Sequence, residues 1–140
     1  MTAKTLFRAI VFCGTLLGCA TQPLAATGTT LRCMGQNCDV QVSVSCSAGV
    51  CSASVDNETV QIPRGNSPVI TWQVMSPGYT FPSNGIVIAN GGAEFDCRVE
   101  ANGRRFTCHD KHTRSDNYKY TVNLSGAPAV PPLDPFIENQ

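Results

Sequence analysis

The segment Phe95-Asp96-Cys97-Arg98-Val99-Glu100-Ala101-Asn102-Gly103-Arg104-Arg105-Phe106-Thr107-Cys108-His109-Asp110 decides the fold. Asn102-Gly103 is a two-residue turn signal, because both residues tolerate the positive φ of a type I′ turn. Centring a hairpin there pairs residues whose numbers sum to 205. Cys97 then faces Cys108, and Val99 faces Phe106. Phe95, Cys97, Val99, Phe106 and Cys108 share one face. Asp96, Arg98, Glu100, Arg105, Thr107 and His109 share the other, with Glu100 opposite Arg105. A strict two-residue turn makes Cys97/Cys108 a hydrogen-bonded pair, whereas the alternate sites bring side chains closer. A bulge would exchange the two.

Outward from this hairpin the chain alternates with the period of a strand. Cys38, Val40, Val42, Val44 and Cys46 form one face, with Gln41, Ser43 and Ser45 on the other. Leu31 and Cys33 precede them; Cys51, Ala53 and Val55 follow. Then come Val60 and Ile62, next Ile70, Trp72 and Val74, and finally Tyr118, Tyr120, Val122 and Leu124. Ile86, Val87 and Ile88 read as a strand buried on both sides. From Thr27 onward there are twelve valines and five isoleucines against three leucines, a ratio that favours strands. Ten glycines and eight prolines in the same stretch leave little room for helices. Some eight or nine short strands at this spacing predict an all-β fold. The expected architecture is a small, disulfide-stapled antiparallel β-sandwich of immunoglobulin-like type, with a small β-barrel as the alternative. Residues 27–126 form the expected domain. The Pro-rich tail, 127–140, reads as an extended terminal segment, which would add a strand to its own sheet or to a partner's.

The first residues read as an export signal. Lys4 and Arg8 precede an uncharged apolar run from Ala9 to Leu17, too short to span a bilayer. Two cleavage patterns compete. Leu16-Leu17-Gly18-Cys19 resembles a bacterial lipobox, which makes residues 1–18 the signal and Cys19 the lipidated start. Leu24-Ala25-Ala26 offers small residues for a conventional cut after residue 26. Either route delivers the chain to the periplasm, the outer membrane or the exterior. A lipid on Cys19 would be the one link to a membrane.

Either cut leaves Cys33, Cys38, Cys46, Cys51, Cys97 and Cys108. Six cysteines allow fifteen connectivities. The strand reading prefers Cys33–Cys38 and Cys46–Cys51, each closing a hairpin connection, and Cys97–Cys108 across the third hairpin. A four-cysteine zinc site from the first two pairs is a rival, but an oxidising compartment favours disulfides. A redox-active pair lacks its Cys-x-x-Cys spacing.

No catalytic signature is present, and nothing calls for a cofactor. His109 and His112, with Asp110 or Asp116, are the one cluster of metal-ligand type, and a continuous strand would point the two rings to opposite faces. The net charge of zero gives no pull towards nucleic acid. It conceals a basic window: Arg98, Arg104, Arg105, Lys111, Arg114 and Lys119 against Glu100, Asp110 and Asp116, or +6 − 3 = +3. That edge is an expected interaction surface for anionic lipid, cell-wall polymer or an acidic protein. Charges on strand edges also serve simply to block aggregation. Tyr79 and Phe81, between Pro77-Gly78 and Pro82, are expected in an exposed loop. The other aromatic residues fall on inward parity.

Ile70-Thr71-Trp72, Tyr79-Thr80-Phe81-Pro82 with Gly85-Ile86, Tyr118-Lys119-Tyr120-Thr121-Val122 and Pro131-Pro132-Leu133-Asp134-Pro135 carry a resemblance. Over roughly residues 70–135 the chain resembles small exported bacterial proteins of Gram-negative type whose function is unknown. The resemblance implies export and brings no activity. The expectation is a non-enzymatic envelope protein that contacts an unknown macromolecule of the envelope or contributes to surface structure. Two alternatives stand beside it: a metal protein or enzyme using His109 and His112, and a periplasmic inhibitor presenting the 79–85 loop to a lytic enzyme. Oligomeric state is open.

Overall fold

The computed structural model describes residues 28–100 and 102–140. The export signal and Cys19 lie outside them. Ten strands run in chain order: β1 (Thr30–Arg32), β2 (Asn37–Ser47), β3 (Val50–Val55), β4 (Thr59–Ile62), β5 (Val69–Val74), β6 (Ile86–Ile88), β7 (Phe95–Val99), β8 (Arg105–Asp110), β9 (Asp116–Val122) and β10 (Phe136–Asn139). A single 3-10 turn, Gly92–Glu94, leads into β7. The first sheet has the order β1-β4-β10-β9-β6 and the second β3-β2-β5-β8-β7. Two sheets face each other, so the molecule is a sandwich and not a barrel.

The pairing differs from the antiparallel expectation. β1 and β10 both run parallel to β4, and β2 runs parallel to β5. The cause is the connectivity. Short hairpins join β2 to β3 and β7 to β8, and a longer link joins the antiparallel neighbours β9 and β10 within the first sheet. The remaining links cross between the sheets, so a strand can return beside an earlier one in the same direction.

Inward residues of both sheets meet in one core. Val40, Val42, Ile70, Trp72, Val74, Val60, Ile62, Tyr120 and Ile137 are fully buried. Trp72 meets Tyr120 edge-on at 5.2 Å, Phe81 meets Phe106 at 5.8 Å, and Phe95 meets Tyr118 at 5.0 Å. Such pairs add ~0.5–1.5 kcal/mol each beyond area burial. Val87 is a correction: it is 47% exposed, because β6 is an edge strand with one face in solvent.

The tail belongs to the sandwich. β10 lies between β4 and β9 in the middle of the first sheet. Ahead of it, Tyr120 N–H donates to Pro135 O at 2.9 Å and Val122 N–H to Leu133 O at 2.8 Å. The prolines of this stretch sit where these partners need only a carbonyl.

The six cysteines pair as Cys33–Cys38, Cys46–Cys51 and Cys97–Cys108. Cys33–Cys38 does not close a hairpin. It joins the end of β1 in the first sheet to β2 in the second, with both residues buried. The other two bridges cross antiparallel pairs whose Cα atoms are 4.0 Å apart. That spacing belongs to the close, non-hydrogen-bonded site.

The 97/108 register is as expected, but its phase is opposite. Glu100 N–H donates to Arg105 O at 2.9 Å, so 100/105 is the bonded pair. Gly103 N–H folds back to Glu100 O at 2.9 Å, and Asn102 Oδ1 accepts from Arg104 N–H at 3.0 Å. The tip is therefore wider than a two-residue turn. The wider tip moves the cysteines to the site where a disulfide fits.

Candidate functional site

The basic window does not form one open patch. Arg104 donates to Ser76 O at 2.9 Å and Val74 O at 2.5 Å, tying the hairpin tip to the end of β5. Lys111 Nζ donates to Ala93 O at 2.5 Å. Arg114 donates to Tyr118 Oη at 2.9 Å and Asn90 O at 3.1 Å, with its guanidinium 5.6 Å over the Tyr118 ring. Lys119 pairs with Asp134 at 2.9 Å, and the bonds from Lys119 and Thr121 hold that carboxyl below its ordinary range. Of the six basic residues, Arg98 and Arg105 alone form neither an ion pair nor a side-chain hydrogen bond among the described residues. Both are exposed on the outer face of the second sheet.

Tyr79 and Phe81 are also a correction, at 6% and 3% exposed. Tyr79 Oη donates to Pro128 O at 2.8 Å. Thr80 bridges to Ser125, and Phe81 N–H donates to Gly103 O at 2.6 Å. The loop is docked into the core by its aromatics, so it does not present them to a lytic enzyme.

His109 and His112 are held apart. His109 lies exposed on the outer face, its Nε2 3.2 Å from Ser67 Oγ. The chain then turns through His112, at φ 46°. His112 sets Nδ1 2.7 Å from Asn66 O and Nε2 3.1 Å from Gln140 O. Both ring nitrogens face carbonyl oxygens, which leaves neither free to ligate. Among the described residues no three His, Cys, Asp or Glu side chains converge on a metal position.

Two carboxyls are buried, and both hold structure. Glu94 accepts from Thr113 N–H and from Thr113 Oγ1, each at 2.5 Å. Burial pushes the Glu94 carboxyl up, but the Thr113 bonds and the nearby Arg114 outweigh it and leave it lowered. Asp110 is fully buried; its Oδ1 accepts from His112 N–H at 2.8 Å and Asn139 Nδ2 at 3.2 Å. Burial dominates there and raises the carboxyl above its usual range.

An open edge without charge is offered by β3, one of the two outermost strands of the second sheet. At its start the positive φ of Ala48 and Gly49 makes a tight turn, which bonds Ser47 to Val50. Alternation then directs the backbone groups of Val50, Ser52 and Ser54 towards β2. Asp56 N–H donating to Gln41 O at 3.0 Å continues this phase. The N–H and C=O of Cys51, Ala53 and Val55 therefore face outward, and among the described residues nothing pairs with them. Beside them lies a groove of about 260 Å³, lined by Ala53, Val55, Glu58, Leu133, Pro135 and Phe136. Phe136 is 41% exposed. No sequence signal marks this site, because edge position depends on the order of strands. In a second hollow the Glu94, Thr113 and Arg114 side chains are already hydrogen-bonded.

No family model matches the chain, and no curated protein matches it. Among solved structures, the chain is similar to rusticyanin. One rusticyanin variant aligns over 80% of this chain and 83% of its own, at 18% identity and a TM-score of 0.39. A structure described as the copper protein rusticyanin aligns over 81% and 87%, at 15% identity and a TM-score of 0.38. Likeness this distant assigns no copper to this chain.

Proposed function

We propose that the protein is a non-enzymatic module of the bacterial cell envelope that acts by presenting surfaces to other macromolecules. The observation that carries this reading is where the reactive side chains are used. Six cysteines are spent on three bridges, Thr113 occupies both oxygens of Glu94, and carbonyl oxygens occupy both ring nitrogens of His112. Each of these groups fastens one segment to another. Surface is what remains, and the open β3 edge with its groove is the part of it shaped for a partner. Disulfides at this density call for an oxidising compartment, in keeping with the apolar segment that opens the chain.

Fractionation of native cells with elemental analysis of the purified protein tests this. The expected result is an envelope or periplasmic protein without stoichiometric metal. A cytosolic protein, or one bound metal per chain lost on His109→Ala, would overturn it.

A further inference from the structure

The β3 edge is self-complementary. Its sequence around Ala53 reads Cys51-Ser52-Ala53-Ser54-Val55, small serine flanks about a small centre, with apolar or half-buried residues at both ends. We propose that two copies of the protein join by antiparallel pairing of β3 with β3, centred on Ala53, so that their second sheets form one continuous ten-stranded sheet.

The hydrogen-bond phase supports this centre. The outward backbone groups belong to Cys51, Ala53 and Val55, so Ala53 meets Ala53 of the second copy in a bonded pair. Cys51 then bonds with Val55 of the second copy. Ser52 falls opposite Ser54 at the closer, non-bonded sites, where hydroxyls can exchange hydrogen bonds. Each position thus finds a compatible opposite. Pairing Ala53 with Ser52 or Ser54 of the second copy would lose this match of bonding phase, and among the matching registers only the centre on Ala53 sets Ser52 opposite Ser54.

Charge does not oppose the pairing. Edge strands that must stay unpaired commonly carry charge, as β7 does with Asp96 and Arg98. β3 has none over six residues. The nearest acids along the chain are Asp56 and Glu58, just past its end, and the acid across the groove, Asp134, is already paired with Lys119. In this register Asp56 lies opposite Val50, and the two Asp56 residues sit six strand positions apart, roughly 20 Å. That exceeds the ~8 Å screening length at physiological salt. Inward side chains of the second strand meet the mouth of the groove and cover Leu133, Pro135 and Phe136. This inference goes beyond the envelope-module reading, which would stand if the protein proved monomeric.

Sedimentation equilibrium of the purified, disulfide-intact protein tests it with three variants. Wild type is expected to dimerise. Ser52→Lys with Ser54→Lys sets like charges opposite each other twice and should weaken the dimer by about tenfold or more. Ser52→Lys with Ser54→Glu sets opposite charges at the same two places and should restore it. Ala53→Pro removes an outward N–H without a bond to β2 and should give a folded monomer. A wild-type monomer up to millimolar concentration overturns the proposal, including one that captures a foreign strand at this edge. A dimer insensitive to the charge pattern overturns it as well.

Discussion

Asn139 Nδ2 donates to Asp110 Oδ1 at 3.2 Å, and this contact links the last strand of the first sheet to β8 of the second. Asp110 Oδ2 and Asn139 Oδ1 are both buried without partners. Buried acceptors without a donor are costly, and a proton on the carboxyl would relieve the cost at Asp110. Burial raises the Asp110 carboxyl, which is the direction that supplies that proton.

Linkage sets the sign. A carboxyl raised on folding contributes full stability below its unfolded pKa, and that stability is lost as pH rises through the folded value. Asp110→Asn places an amide donor towards Asn139 Oδ1 and removes the titration. The variant should match wild type in acid and exceed it at neutral and alkaline pH. The gain should be about 1.4 kcal/mol for each unit by which burial raises the carboxyl. Urea unfolding across pH reads it, and parallel curves for the two proteins would refute the assignment.

The Trp72 indole N–H and the Tyr120 hydroxyl are buried with no well-aligned bond; burial pushes the Tyr120 phenol up to about 12, against a weaker opposing pull from the neighbouring indole N–H. Tyr120→Phe removes a hydroxyl whose one polar neighbour is the poorly aligned Trp72 indole N–H, and should change stability by less than ~1 kcal/mol. Trp72→Ala opens a cavity under both sheets and should cost ~3–5 kcal/mol. Thermal unfolding of the two variants separates the hydroxyl from the packing.

Arg104 and Arg98 look equivalent by charge and differ by contact. Arg104→Ala breaks two bonds to the carbonyls of Val74 and Ser76 and should cost ~1–3 kcal/mol. Arg98→Ala touches nothing of this kind and should stay within ~0.5 kcal/mol. Equal effects in denaturant titration would contradict the fastening role.

The disulfides should differ by location. Small rings give ~2 kcal/mol each on a chain-entropy estimate. Replacing Cys33 and Cys38 by Ser should exceed this, because it puts hydroxyls in a buried corner between sheets. Replacing Cys46 and Cys51 by Ser should exceed it by less, since only Cys51 of that pair is buried. Mild reductant followed by alkylation and peptide mapping should find Cys46 opened before Cys33.

The cysteine register was legible because Asn102-Gly103 and the alternation about it agree on one centre. Its bonding phase was not, since it depends on Gly103 N–H returning to Glu100 O. Alternation also identified the inward faces of β2, β5 and β9. It says nothing about neighbours, so the parallel pairs beside β4 and β5 were hidden. Pro77, Gly78 and Pro82 correctly mark a loop, but not that Tyr79 would find the Pro128 carbonyl 49 residues on. The basic window was visible as charge, whereas the acceptors that engage it lie in remote segments at Ser76, Ala93 and Asn90. The open site needed the order of strands, which places β3 at an edge.

Intact mass of the native protein before and after reduction tests most directly whether it is an exported, oxidised module. The expected mass is that of a chain processed at Cys19 or after residue 26. Reduction is expected to add six hydrogens, two for each of three disulfides. A full-length chain with free thiols and no mass change on reduction would contradict it.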